Sequence, residues 1–179
     1  PKLPAEIAGG PEVSEDGQQV VITVSGSATP TNVWRLDPAS GAFTQISQTP
    51  HEGVDLDSLV SPVLKTYTAH DGLELSGWYY APRAAAVPGP MVLSFHGGPE
   101  GQSRPSFRAT FQALLSRGIA LFVPNVRGSA GFGKTFVNLD NGALRFDGIK
   151  DIESTVKFVT EANLAEPGRI GIMGGSYGG

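Results

Sequence analysis

No cysteine occurs among the 179 residues. That excludes disulfides, a thiolate nucleophile and cysteine-ligated zinc, and it fits a cytoplasmic protein. Basic charge is also scarce: 13 Lys and Arg stand against 17 Asp and Glu, a formal net charge of −4, with no basic stripe. Nucleic acid and anionic membrane surfaces are therefore not expected partners. No apolar run approaches the length of a membrane span, and the opening "PKLPAEIAGGPEVSEDG" does not resemble a signal peptide. What the chain has in quantity is glycine (24) and proline (14). They fall between periodic apolar runs and so mark turns, not low complexity. With 40% hydrophobic residues, a chain of this length can bury a real core.

Two regions of different character follow each other. In the first, "QQVVITVSG" (18–26) is a strand candidate. "TNVWRLDPASGAFTQIS" (31–47) predicts a hairpin turning over Asp37–Gly41. Such spacing suits one blade of a β-propeller, although a single unit demonstrates no repeat. From Ser61 onward, "VLKTYTAHDGLELSGWYYAP" gives two strands around Ala69–Gly72, and "MVLSF" is a compact buried strand running into His96. "FRATFQALLSRG" (107–118) has helical spacing, "IALFVPNV" is a second buried strand, "GALRFDGIKDIESTVKFVTEAN" a long amphipathic helix and "RIGIMG" a further strand. Strands alternating with helices predict an α/β domain on a mostly parallel sheet. The expected division is 1–58 for the all-β piece and 59–179 for the α/β piece.

The last strand runs into Gly174-Gly175-Ser176-Tyr177-Gly178, which satisfies Gly-x-Ser-x-Gly. Acyl transfer needs a nucleophile held clear of the sheet on a tight strand-to-helix turn, and small flanking residues such as Gly174 and Gly178 allow that turn to pack. In a Gly-rich chain the pattern alone is open to a loop match; the preceding strand favours a nucleophile. An anionic tetrahedral intermediate also needs two donors. One is the amide after the nucleophile, Tyr177; the other is expected from the loop "SFHGGP", with Gly98 the candidate and Gly97 beside it. His96 is read as a structural loop residue. In the α/β-hydrolase order the general base follows the serine, and His51, His70 and His96 all precede it.

"HGGPEGQ", "NVRGSAGFG" and "GGSYGG", in that order on those elements, resemble the prolyl oligopeptidase family of serine peptidases, over about residues 61–179. His-Gly-Gly-Pro is similar to the acylaminoacyl-peptidase branch. The resemblance implies Ser176 as nucleophile, the Tyr177 and Gly98 amides as oxyanion hole, and an incomplete α/β-hydrolase fold preceded by the last strands of a β-propeller that screens substrates by size. It implies peptide substrates, no metal and no cofactor. The family's Asp and His are then expected beyond residue 179, so that this chain alone is expected to be inactive. A homo-oligomer is an open expectation.

Other readings stand beside this one. A carboxylesterase could use the same elbow and loop. An arginine fork of Arg104 and Arg127 could bind a peptide carboxylate, giving carboxypeptidase-like selection, whereas Arg108 is read as a surface or helix-packing cation. Gly128–Thr135, "GSAGFGKT", matches the phosphate-loop pattern of an NTPase, although Pro124–Arg127 intervenes and the next strand ends in no magnesium-binding Asp. A propeller fragment or a degenerate, non-enzymatic interaction module is also compatible with the sequence. Asp147 and Asp151, four apart on the long helix, are expected to be solvated or paired with Lys150 and Arg145.

Overall fold

The computed structural model describes residues 1–179 and divides them into two compact units. The first comprises Pro1–Ser61 with Pro105–Ala109. It is a four-stranded antiparallel meander, β1 (Ile7–Val13), β2 (Val20–Gly26), β3 (Thr29–Leu36) and β4 (Phe43–Gln45), in sequential order. β2 alternates as a half-buried strand should, with Ile22 and Val24 inward. The expected hairpin is β3–β4, with Leu36 opposite Phe43. Its turn is closed by the Asp37 carboxylate, which accepts the amides of Ala39 and Ser40 at 2.9 and 3.3 Å. Gly41 takes φ 72°, where L side chains are disfavoured. β1 has no counterpart among the sequence expectations. Its Gly9-Gly10-Pro11 core has poor strand propensity, and a register shift between Gly9 and Glu12 absorbs it.

The second unit, Pro62–Arg104 with Thr110–Gly179, holds a five-stranded sheet in the order β5-β6-β8-β7-β9. The strands are β5 (Val63–Thr68), β6 (Glu74–Tyr80), β7 (Gly89–Phe95), β8 (Ala120–Asn125) and β9 (Ala165–Gly174). The expectation of a mostly parallel sheet is corrected here. β5–β6 and β6–β8 pair antiparallel, and only β8–β7 and β7–β9 are parallel. The cause is the tight turn at Asp71-Gly72, which folds β5 and β6 into a hairpin, combined with the insertion of β8 between β6 and β7. The helices are α1 (Ala109–Ser116), the single turn α2 (Lys134–Val137) and α3 (Arg145–Glu161). No helix is long and apolar enough to cross a membrane.

The core of this unit lies between α3 and the sheet. Leu93, Phe122 and Val159 are fully buried within it. Tyr67 stacks on Phe158 at 4.8 Å and meets Phe122 edge-on at 5.7 Å. Its hydroxyl is satisfied by Thr155 Oγ1 at 2.8 Å, and burial pushes that phenol's pKa upward. Gly77 on β6 is required by packing, because a methyl group there would run into the Phe122 ring. β7, β8 and β9 run parallel, so the loops that follow them gather along one edge of the sheet.

Candidate active site

The loop after β9 carries the candidate nucleophile. Gly175 is extended, with φ −143° and ψ 149°, and Ser176 then switches to φ 57°. Only Ser176 and Asn163 adopt positive φ among the non-glycine residues. A serine in the left-handed region is uncommon and costs energy that the surroundings must over-determine. A short turn, Ser176–Gly178, supplies part of that constraint, with the Gly178 amide donating to the Gly175 carbonyl at 3.0 Å. The flanking glycines supply the rest through close approach. A methyl group on Gly174 would strike the Gly178 carbonyl, and one on Gly178 would lie 2.6 Å from the Phe95 and His96 carbonyl oxygens. The turn is therefore pressed against the end of β7.

That contact brings the two predicted halves of the site together. A methyl on Gly97 would stand 2.8 Å from the Gly175 carbonyl oxygen and 3.1 Å from Ser176 Cβ. Gly98 takes φ 136°, and a side chain there would collide with the amides of Glu100 and Gly101. Residues 97–101 thus form a tight turn beside Ser176 that only glycine can build at its second position. Tyr177, the residue after Ser176, is half exposed. A cavity of about 420 Å³ opens next to it, lined by His96, Pro99, Ile149, Ile172 and Tyr177, and by Asp140. Burial, reinforced by the charge of Glu100, raises the Asp140 carboxyl above its ordinary pKa.

His96 is tied into this turn from behind. Its Nε2 lies 2.8 Å from Ser129 Oγ, and the Ser129 hydroxyl donates to the Val126 carbonyl at 2.6 Å. Nδ1 stands 3.0 Å from the Gly97 carbonyl oxygen. Ser129 itself is fully buried. The other two histidines stand elsewhere: His70 faces Asp147 and Asp151 at 3.5 and 3.8 Å, and His51 packs beside Phe107 in the first unit.

The two candidate substrate arginines part company. Arg104 is exposed, at the end of the loop that begins with Gly97. Arg127 is not available as expected. It is buried, with its Nε and Nη2 bonded to the Asp151 carboxylate at 2.9 and 2.8 Å and its Nη1 and Nη2 bonded to Asp71, both at 2.9 Å. Four of its five N–H groups are thereby used within the fold. Asp151, expected to be solvated or paired with Lys150 or Arg145, is instead fully buried as Arg127's partner, whereas Asp147 bonds Lys150 at 3.0 Å as anticipated. The bonds from Arg127 hold the Asp71 carboxyl well below the usual carboxylate range. Sequence could not pair these groups, since 56 and 24 residues separate Arg127 from Asp71 and Asp151.

The phosphate-loop alternative finds no support in the loop's geometry. A phosphate cradle needs main-chain amides pointing outward at the start of a helix. Here the Gly128 amide donates to the Phe136 carbonyl at 3.1 Å, Ser129 to Val126 at 3.1 Å and Ala130 to Gly101 at 2.9 Å. α2, which follows, is one turn of four residues that begins at Lys134. The loop's amides serve the protein's own carbonyls.

A model of the prolyl oligopeptidase family matches residues 105–179. An uncharacterized peptidase of Bacillus subtilis, YuxL, is 30% identical over 99% of this chain and 27% of its own length. Dipeptidyl aminopeptidase BIII of Pseudoxanthomonas mexicana is 28% identical over 92% of this chain and 25% of its own. The acylamino-acid-releasing enzyme of Arabidopsis thaliana is 36% identical over 50% of this chain and 12% of its own. Among solved structures, a puromycin hydrolase superposes with a TM-score of 0.81 at 26% identity, over 94% of this chain and 26% of its own. The acylaminoacyl peptidase of Pyrococcus horikoshii superposes with a TM-score of 0.76, also at 26%, over 94% and 27%. The chain thus spans about a quarter of the length of the first two relatives and of both structures. Over residues 105–179 the chain matches the prolyl oligopeptidase family, and its motifs, its fold and these likenesses agree with that match.

Proposed function

We propose that the protein is a serine peptidase acting on short peptides through an acyl-enzyme on Ser176. The observation that carries this is the backbone of Ser176. A serine at φ 57°, between glycines, at the end of β9, which runs parallel to β7, and against Gly97, has the strained turn that presents a nucleophile. In this role Ser176 Oγ loses its proton to a general base as it adds to the peptide carbonyl carbon. The carbonyl oxygen becomes an oxyanion received by the Gly98 and Tyr177 amides. Collapse expels the amine, which takes that proton from the protonated base. Water, giving a proton to the same base, then adds to the acyl group and releases it as the acid, with Ser176 reprotonated. His96 is engaged by Ser129, which suits a loop anchor better than that base.

The first unit we propose to be the end of a β-propeller, 1–58, and the second an α/β-hydrolase domain, 59–179. A four-stranded antiparallel meander is the form of one blade. Relatives named for dipeptide release and for acylamino-acid release are both similar to this chain, so the peptide end it selects is open to direct assay. Carboxylesterase activity is the second reading, because the same elbow serves esters.

A fluorophosphonate probe on the intact protein tests the nucleophile. We expect one adduct, mapped by peptide mass to Ser176 and abolished in Ser176→Ala. An intact, folded protein that stays unlabelled would overturn the assignment. Matched p-nitroanilide and p-nitrophenyl ester substrates, N-acetylated or with free N-termini, separate peptidase from esterase and one exopeptidase mode from the other.

A further inference from the structure

The turn that presents Gly98 is gripped at both ends by the end of β8 and the loop that follows it. On its N-terminal side His96 is held by Ser129. On its C-terminal side stands a second, buried polar cluster that the catalytic reading does not use. Asn125, the last residue of β8, is 2% exposed, and its side-chain amide meets the main chain of Ser103 twice. Asn125 Oδ1 accepts the Ser103 amide at 2.7 Å, and Asn125 Nδ2 donates to the Ser103 carbonyl at 3.1 Å. The Ser103 hydroxyl donates to the Pro124 carbonyl at 3.0 Å, and Trp78 Nε1 donates to the Ser103 carbonyl at 3.0 Å. Every polar group of Ser103 is therefore fixed to the sheet.

Between the two grips lie only a few residues, and they have little slack. The Gly101 carbonyl accepts the Ala130 amide at 2.9 Å, and a methyl on Gly101 would press on the Gly97 carbonyl and on His96 Nδ1. Displacing Ser103 must therefore move Gly101, and Gly101 is packed against the residue preceding the Gly98 amide. An oxyanion donor acts only if it is already aimed at the developing charge, so a loose turn would lose transition-state binding more than substrate binding.

We infer that Asn125 is a positioning residue for the oxyanion turn: its side-chain amide, clamped on both main-chain groups of Ser103, holds the Gly98 amide in register with Ser176. This rests on the serine peptidase reading above. Asn125 touches no substrate in this role and acts through Ser103 and Gly101.

Asn125→Asp tests it in the intact protein. The variant is isosteric, and its neutral carboxylic acid can accept from the Ser103 amide and donate to the Ser103 carbonyl as the amide does. Once ionised it keeps the first bond and loses the second, placing a charge against a carbonyl oxygen. The readouts are kcat and KM on a peptide anilide, the rate of fluorophosphonate labelling, and the melting temperature, each across pH 5–9. We expect kcat and the labelling rate to fall at high pH by roughly tenfold or more, a fraction of the loss that follows removal of a whole donor. KM should change by less than about twofold, and both rates should recover toward wild type as pH falls and the acid is protonated. Asn125→Leu, where it folds, should show the loss at every pH. If Asn125→Asp keeps wild-type kcat and labelling at all pH values while only its melting temperature drops, the inference is overturned and the clamp is merely structural. If wild-type protein is itself not labelled, the peptidase reading fails, and this inference falls with it.

Discussion

Arg127 and Asp151 meet through paired bonds, Nε to Oδ2 at 2.9 Å and Nη2 to Oδ1 at 2.8 Å, with both side chains almost sealed from solvent. The pair ties the loop after β8 to α3, and the Arg127 main-chain amide adds a third bond to Asp151 Oδ2 at 3.0 Å. A buried pair of this kind adds little over a well-packed apolar replacement, but removing one member strands the other. Arg127→Met should therefore cost about 3–5 kcal/mol in urea denaturation. The double variant Arg127→Met/Asp151→Leu should recover part of that loss. A single variant as stable as wild type would show that Asp151 finds another partner.

Asp71 closes the same cluster from the β5–β6 turn, with its side chain 43% exposed. Hydrogen bonds from Arg127 depress its pKa in the folded state. Its stabilising contribution is thus complete above the unfolded carboxyl value of about 4 and is lost as pH falls below it toward the lower folded value. Stability followed between pH 6 and pH 2 should fall on the acid side more steeply in wild type than in Asp71→Asn. Solvent around Asp71 keeps the difference modest. Parallel acid curves for the two proteins would remove Asp71 from the account.

His96 and Ser129 hold the other end of the oxyanion turn, and they differ in what their loss leaves behind. His96→Ala deletes the bond to Ser129 and the ring packed against Gly101, freeing the turn that carries Gly98. On the peptidase reading, kcat/KM should drop on the order of 10²-fold, the range for an oxyanion donor out of place. Ser129→Ala keeps the ring and should lose much less. Rates on a peptide anilide, with labelling of Ser176 as a second measure, decide it. Equal activity of His96→Ala and wild type would free the histidine from any role in the turn.

The parts of this molecule legible in its sequence are those with local signatures. Apolar runs marked β2, β7 and β8, the Pro- and Gly-bearing segment at 37–41 marked a hairpin, and the glycines around Ser176 and Gly98 marked backbone that comes too close for a side chain. β1 escaped because Gly9, Gly10 and Pro11 hide a strand whose pairing with β2 is supplied by its partner. β9 begins at Ala165 and not at Arg169, since Pro167-Gly168 breaks the apolar pattern without ending the strand. The buried clusters escaped for a different reason. Asn125 clamps a residue 22 positions away, and Arg127 joins carboxylates 24 and 56 positions away. Such pairs leave no periodicity in the chain, so Arg127 had the look of a substrate arginine.

Gly128–Thr135 shows how a local signature misleads when the direction of its amides is unknown. The pattern has every residue type that a phosphate loop needs, including Lys134 and Thr135. Its Gly128, Ser129 and Ala130 amides nevertheless bond Phe136, Val126 and Gly101, and turning them outward would break two bonds that close the loop on itself and the one that ties it to Gly101. Magnesium-ATP should accordingly leave the melting temperature unchanged. The test is sensitive, because a ligand at about 100 times its Kd stabilises by about 2.7 kcal/mol. For a protein of this size that is a rise of roughly 5–10 °C, far outside the error of a melting curve. Lys134→Ala should likewise leave stability within about 0.5 kcal/mol of wild type, since its side chain is exposed at the first position of α2. A nucleotide-dependent rise that Lys134→Ala abolishes would mean that the loop opens in solution and that its inward hydrogen bonds are only one of its states.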